Sequence, residues 1–476
     1  MSLPTRVPLY VQLAQDLHRQ LEARVWQAGE RMPSVRRLSR ERCVSLSTAF
    51  QAYYYLESRG LLEARPKAGY FVRAQLHTAA QALAVPAPTT SAATGQEVRV
   101  SAPLAALFQA QTGQAVPFAV AKPSSDLLPV ARLTKAMHTV LRTAGEAVAG
   151  YEQPAGNLLL RRQLAQLSAR WGGGLAADDV IITNGCLEAV HLSLRAVTQP
   201  GDTVAVETPT YYGLLQCLES LGLRALEIAT HPQTGVDLAE LEAALGRQSI
   251  AACLFVPSFN NPLGSCMPDA RKQQLVQLLT RWRVPLIEDD IYGELYFGPQ
   301  RPRTCHSFDT EGWVLLCSSF SKQLAPGYRV GWVAPGRFHA QVLHLKYALN
   351  LATATLPQLA ISEFLARGRY EHHLRQLRTA FAVQVGAMQQ AVERHFPAGT
   401  QVTRPAGGFV LWVVLPEDVL TLPLHARAIQ EGIGFIPGPL FSAQPRYAHC
   451  LRLTCGHPWS PEMARSLEAL NRLLLP

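Results

Sequence analysis

CSSFSKQLAPGYRVGW, residues 317–332, places a lysine behind an apolar run and a serine cluster and ahead of Pro326-Gly327 and Arg329. The chain has only six lysines (Lys67, Lys122, Lys135, Lys272, Lys322, Lys346), so the position of Lys322 is informative. Alone, S-x-x-K also serves hydrolases whose serine is the nucleophile. Working outward, LIEDDIYGELYF (286–297) ends a strand-like run at Asp289 with Tyr292 three residues on, and FVPSFNNPLGS (255–265) sets Asn261-Pro262 after another. A carboxylate at a strand end is also a helix cap or metal ligand, and Asn-Pro is also simply a turn.

Around these segments, DVIITN, DTVAVE, ACLFVP, VPLIEDD and WVLLCSS alternate with helix-like runs such as ARKQQLVQLLTRW. That alternation predicts an α/β fold with a mainly parallel sheet. The 476 residues, 48% hydrophobic and 17% charged, predict two or three globular domains. No stretch approaches the roughly 20 apolar residues of a membrane helix, and nothing at the N-terminus reads as an export signal. The nine cysteines are scattered without C-x-x-C or zinc spacing, which predicts a reducing cytoplasm and no structural metal. Of the net charge of +9, residues 1–75 hold twelve Arg or Lys against six Asp or Glu; a solvated basic face explains that equally, but an anionic partner, nucleic acid first, is expected there. Residues 74–98 carry one charged residue, Glu97, and no apolar period, which reads as a linker. The expected division is a DNA-binding domain at 1–75, a flexible linker at 76–112 and a large domain at 113–476.

Lysine, strand-end carboxylate and Asn/Tyr donors together fit one chemistry. Pyridoxal phosphate needs a lysine for an imine, a carboxylate to keep its pyridine nitrogen protonated and donors to its phenolic oxygen. With five motifs in family order, the chain from about Gln114 onward resembles the fold type I aminotransferases. The resemblance implies Lys322 as the Schiff-base lysine, Asp289 on the ring nitrogen, and Asn261 and Tyr292 on the phenolic oxygen. TNGCLEAV (183–190) resembles the phosphate loop, Gly185 and Cys186 offering N–H groups at a helix N-terminus. Ser319 and Arg329 complete that shell by the same match, and Tyr211 of ETPTYYG (207–213) stacks on the ring. Tyr151 of YEQPAGNLLLRRQLA (151–165) resembles the tyrosine that reaches the other subunit's cofactor, implying a homodimer. Arg452 of CLRLTC (450–455) matches the arginine for a substrate or effector carboxylate. FAVAKPSSDLLPV (118–130) departs from the family's F-x-x-G-x-P-D at Ala121 and Ser124.

In the basic N-terminus, Leu9, Leu13, Leu17 and Leu21 mark one helix face, Ser34 caps a short second helix, and Ser45 or Ser47 caps a third on which Ala49, Ala52, Tyr53 and Leu56 point inward. LLEARPKAGYFV (61–72) then reads as a hairpin. This is the layout of a winged helix-turn-helix, and PSVRRLSRERCVSLSTAFQAYYYLESRGLLEARPKAGYFV (33–72) resembles the GntR family. The resemblance implies operator DNA contacts at Arg36, Thr48, Arg65 and Gly69, with Ser34, Ser47 and Lys67 next; Ser34 and Ser47 also serve as caps, and Gly69 also serves wing geometry. Leu46 stands where family members often carry Arg, and Arg42-Cys43 replaces Leu-Gly in the turn. Head, linker and body in this order resemble the MocR subfamily, implying a cytoplasmic, dimeric, pyridoxal-phosphate-binding regulator of transcription with an amino acid, amine or the cofactor itself as effector and no membrane partner. The expected role of the body is sensing without physiological turnover; a working aminotransferase with an attached DNA-binding head is the alternative.

Overall fold

The computed structural model describes residues 9–22, 25–27, 29–58, 61–65, 68–72, 83–110 and 116–474, in two compact units, Met1–Ala82 and Leu83–Pro476.

The first unit has helices Leu9–Glu22, Val35–Glu41 and Leu46–Ser58 and an antiparallel hairpin of Leu62–Arg65 with Gly69–Val72. Leu13, Leu17, Leu38, Ala49, Ala52, Tyr53 and Leu56 form one buried cluster, as their spacing predicts. Leu9 departs from that face: it opens its helix outside the cluster and is 56% exposed. Ser34 caps the second helix, accepting from the Arg37 amide at 3.2 Å. Of the two candidates for the third helix, Ser45 is the cap, accepting from the Thr48 amide at 3.1 Å. The Tyr53 hydroxyl donates to the Pro33 carbonyl at 2.8 Å and ties the third helix to the start of the second. In the wing Gly69 pairs with Arg65 at a φ of +102°, a conformation that favours glycine. Lys67 lies outside the described residues.

The second unit is built on an eight-stranded sheet in the order Gln96–Glu97, Arg224–Ile228, Thr203–Glu207, Ala252–Phe255, Leu286–Asp289, Val314–Ser319, Gly331–Ala334, Ile181–Thr183. The strands from Arg224–Ile228 through Val314–Ser319 run parallel, and the outer pairings are antiparallel. The central strands are buried along their whole length, which is why they read as continuous apolar runs. A smaller antiparallel sheet, Gln401–Val402, Val410–Val414, Cys450–Thr454, Ile436–Pro437, carries Arg452 in its interior.

The structure corrects the expected linker over residues 83–110, which belong to the second unit. The Ala92 amide donates to the Glu227 carbonyl at 2.8 Å, the Thr89 hydroxyl donates to the Thr208 carbonyl at 2.7 Å, and Ser91 Oγ accepts from the Ala229 amide at 2.9 Å. Gln96–Glu97 adds an edge strand to the main sheet. The Glu219 carboxylate then accepts from the Val100 and Ser101 amides at 2.9 and 2.8 Å, where helix Ser101–Ala110 begins. Hydroxyl-to-backbone bonds hold this strap, so it needs no apolar period; Val98, Val100 and Leu104 anchor it in the core. Among the described residues no helix is long and apolar enough to cross a membrane.

Leu104, 2% exposed, packs with Tyr212, Trp412 and Phe441. Leu104→Ala should therefore lower the stability of the body by about 2–5 kcal/mol in urea unfolding; a change within about 0.5 kcal/mol, as expected for a surface residue, would mean the strap is not docked in solution.

Candidate functional site

In an open α/β sheet the carboxyl ends of the parallel strands are where chemistry collects, and here those ends deliver Asp289 and Ser319. Opposite them, helix Cys186–Val197 starts from Gly185 at a φ of +82°. A Cβ on Gly185 would lie 2.4 Å from the Arg329 guanidinium, and one on Gly331 would lie 2.4 Å from the Gly185 carbonyl carbon. Glycine at both places lets three segments close around one point. Arg329, itself at a φ of +54°, donates to the Asn184 carbonyl at 3.3 Å and to Ser321 Oγ at 3.4 Å. Free amides of a helix N-terminus, two serines and an arginine form an anion cradle.

Deeper in, the Cys186 thiol donates to Asp289 Oδ1 at 3.2 Å, and the Ile291 amide donates to the same oxygen at 3.1 Å. Burial pushes the Asp289 carboxyl up to about 6, against the pull of those two donors and Lys322. Burial, with the Asp289 charge beside it, also drives the Cys186 thiol well above its ordinary range, so it is a donor and no nucleophile. Lys322 Nζ lies 5.9 Å from the Tyr292 ring centre and donates to the Ala121 carbonyl at 2.5 Å. Burial, then the positive charges of Arg452 and Arg329, bring this amine down to about 8. Tyr292 is buried, which raises its hydroxyl pKa; Arg452 and a hydrogen bond with Asn261 oppose the rise. Arg452 is fully buried, reaching Asn261 Oδ1 at 3.4 Å and the Ala119 carbonyl, while its Nε has no partner.

The structure thus brings Gly185, Cys186, Asn261, Asp289, Tyr292, Ser319, Lys322, Arg329 and Arg452 to one cleft. Tyr211 joins them: its ring lies 4.5 Å from that of Tyr212, and Tyr292 and Arg452 act on its hydroxyl. Tyr151 is not brought in; it is 91% exposed on the single chain. Two features escape the sequence reading. Ser321 is the second serine of S-F-S-K and is passed over in favour of Ser319, although it is the one that meets Arg329. The carbonyls of Ala119 and Ala121 hold Arg452 and Lys322, and no side chain signals a backbone role.

These residues fit pyridoxal 5'-phosphate: a glycine-lined anion cradle, a buried carboxylate, a reactive lysine and an orphaned arginine donor for a carboxylate. In the first unit, Ser34 and Arg36 are exposed, the Thr48 and Ser47 hydroxyls each lie 2.8 Å from Ser45 Oγ, and Arg65 stacks over Phe71 at 4.4 Å.

Residues 116–470 match the aminotransferase class I and II family, and residues 9–72 match the GntR family of bacterial regulatory proteins. The chain is 38% identical over 465 residues to the HTH-type transcriptional regulator YjiR of Escherichia coli K12, spanning 97% of this chain and 98% of that one. Among solved structures it is similar to LysN, an alpha-aminoadipate aminotransferase from Thermus thermophilus complexed with N-(5'-phosphopyridoxyl)-L-leucine, at 29% identity and a TM-score of 0.72, over 77% of this chain and 94% of that one. A kynurenine aminotransferase from Pyrococcus horikoshii is similar at 27% identity and a TM-score of 0.74, over 79% and 95%.

With a folded-state pKa below the unfolded value of 10.5, Lys322 carries a burial penalty that is fully present below about pH 8 and is relieved as pH rises toward 10.5. In the cofactor-free protein Lys322→Met should accordingly raise the melting temperature more at pH 7 than at pH 10. Equal shifts at the two pH values would show that the amine titrates as it does in water.

Proposed function

The chain belongs to the family of GntR-type transcriptional regulators that carry an aminotransferase class I and II body, and from that premise we propose that it is a MocR-type regulator, a cytoplasmic homodimer that binds operator DNA through its head and senses pyridoxal 5'-phosphate, or an amino acid or amine meeting that cofactor, in its body. The observation that carries the reading is the convergence of Lys322, Asp289 and Arg329 beside Arg452, whose buried Nε has no partner. When bound, the cofactor supplies an aldehyde that condenses with amines and a ring that draws electrons from the attached carbon. Gly185, Cys186, Ser319, Ser321 and Arg329 would hold its phosphate, Asp289 would keep a proton on its ring nitrogen, Asn261 and Tyr292 would donate to its phenolic oxygen, and Tyr211 would cover its ring.

For the effector, Arg452 offers a planar donor pair suited to a carboxylate. Lys322 and Arg452 are both held by carbonyls of one short segment, Ala121 and Ala119, so groups arriving at either cation compete with the same stretch of backbone. That stretch follows helix Ser101–Ala110 and the strap, and it supports a route by which ligand state reaches the chain leading to the head. Tyr151, Leu158, Leu159 and Leu187 are large apolar side chains left exposed on the body, which supports a partner subunit covering them and Tyr151 as a contribution to the neighbouring site.

Borohydride reduction of the protein with bound cofactor, followed by peptide mapping, should place the pyridoxyl group on Lys322; a label on another lysine, or none, would overturn the assignment. Arg452→Ala should keep the cofactor's visible band while abolishing the effect of amino acids on operator binding, read on one preparation by absorbance and DNA titration. Multiple turnover of an amino acid and a keto acid by wild type, without any effect on DNA binding, would replace the sensor with the aminotransferase.

A further inference from the structure

The third helix of the head, Leu46–Ser58, buries Ala49, Ala52, Tyr53 and Leu56 completely. On its other side Leu46, Phe50 and Tyr54 are spaced four apart and are 54%, 51% and 47% exposed. At roughly 100° per residue they form a stripe along the helix, adjoined by the exposed Ser47 and Gln51. The helix contains no Arg or Lys at any position. The bidentate arginine–guanine pair, the commonest specific contact in the major groove, is therefore unavailable to it. The hydroxyls of its first turn are engaged within the chain, Ser45 Oγ lying 2.8 Å from both the Ser47 and the Thr48 hydroxyl. What faces outward is thus the stripe of Leu46, Phe50 and Tyr54, the Gln51 amide and the Ser47 hydroxyl, the last already bonded to Ser45.

Charge stands on the neighbouring elements instead. Arg36 and Arg40 are exposed on the second helix and Arg31 and Arg65 at the wing, suited to phosphates, which position the head without reading sequence. A surface with basic flanks and an apolar centre matches a duplex whose major groove presents methyl groups, and the only base carrying one there is thymine. We infer that this helix reads A·T pairs, Leu46 and Phe50 packing on thymine C5-methyl groups and Gln51 pairing with adenine N6 and N7. The inference rests on the proposed operator binding and names the chemistry of the base edges that the head selects.

The test uses the full-length protein with its cofactor. Duplexes are selected from a randomised pool, and the best-bound sequence is remade with deoxyuridine for thymidine, which removes the methyl groups and keeps every base pair. Affinity should fall about fourfold for each contacted methyl, the worth of one buried CH₂, and restoring thymidine one position at a time should locate the contacts. Leu46→Ala and Phe50→Ala should each lose the discrimination at their own methyl, and the double variant should bind the two duplexes alike, all keeping the wild-type salt dependence, since the phosphate contacts are untouched. Equal binding of both duplexes by wild type, with selection otherwise intact, overturns the thymine reading and leaves operator binding standing. A change of oligomeric state in both variants without loss of discrimination would assign the stripe to contact between copies and also overturn it. No selected duplex at all would remove the operator-binding reading and this inference with it.

Discussion

A carboxylate at the inner end of a fully buried strand must be matched by donors or give up its charge, and the strand Leu286–Asp289 raises that demand at two of its residues and again at Asp290 just beyond. Glu288 accepts from the Cys305 and His306 amides. Asp290 pairs with Arg301, which also bonds Glu294 at 3.0 Å and lies over Trp171 at 4.6 Å; the chain of charges continues through Arg170 and Glu371 to Arg378. Asp289 alone is left with a thiol and one amide, donors enough to hold its geometry and too few to fix its charge. That imbalance is what a ring nitrogen arriving from the cleft would correct. The neighbouring acid is neutralised within the chain, whereas this one is held open to a ligand.

Much of this architecture is legible in sequence because its signals are local. The central strands are buried along their whole length and announce themselves as unbroken apolar runs, and Gly185 falls within residues that already resemble a phosphate loop. The strap at 83–110 was not legible for an equally physical reason: Thr89, Ser91 and Glu219 fasten it by side-chain bonds to backbone and leave no period in the pattern. The hold on Arg452 by the Ala119 carbonyl spans 333 positions and involves no side chain on one side, so no motif encodes it. In LIEDD the strand-like run reads as ending at Asp289 and family resemblance supplies its role; how its partners differ from those of Asp290 is visible only once Arg301 is in place.

The two modules solve opposite electrostatic problems. The body gathers Lys322, Arg329 and Arg452 around the Asp289 carboxylate; burial first, and then the neighbouring positive charges, depress the lysine, and the same cations suit a dianionic phosphate and a carboxylate entering together. The head carries exposed arginines on its first and second helices and at the wing and none on its third helix. Under the proposed operator binding, attraction to phosphates and reading of bases fall to different residues, so salt would act mainly on the first and base composition on the second.

For the body to govern the head, a ligand must bind two conformations with different affinity, because equal affinity moves no equilibrium however tight the binding. Under the proposed sensing role, the segment 118–122 is the element that would feel the ligand, because its carbonyls hold both cations. In one arrangement its carbonyls satisfy Lys322 and Arg452; a ligand that takes both cations forces those carbonyls to find other donors, since a buried acceptor left unmade costs about 1–3 kcal/mol. Two such acceptors together are worth about 2–6 kcal/mol, enough to cover the coupling of about 1–3 kcal/mol usual for allosteric proteins. On the proposed cofactor chemistry, an amine that condenses with the cofactor frees Lys322 to donate to Ala121 again, whereas a carboxylate on Arg452 competes with its bond to Ala119. Under the proposed sensing role, an amino acid, which presents both groups, changes both bonds at once, whereas a simple amine or a simple carboxylate changes one.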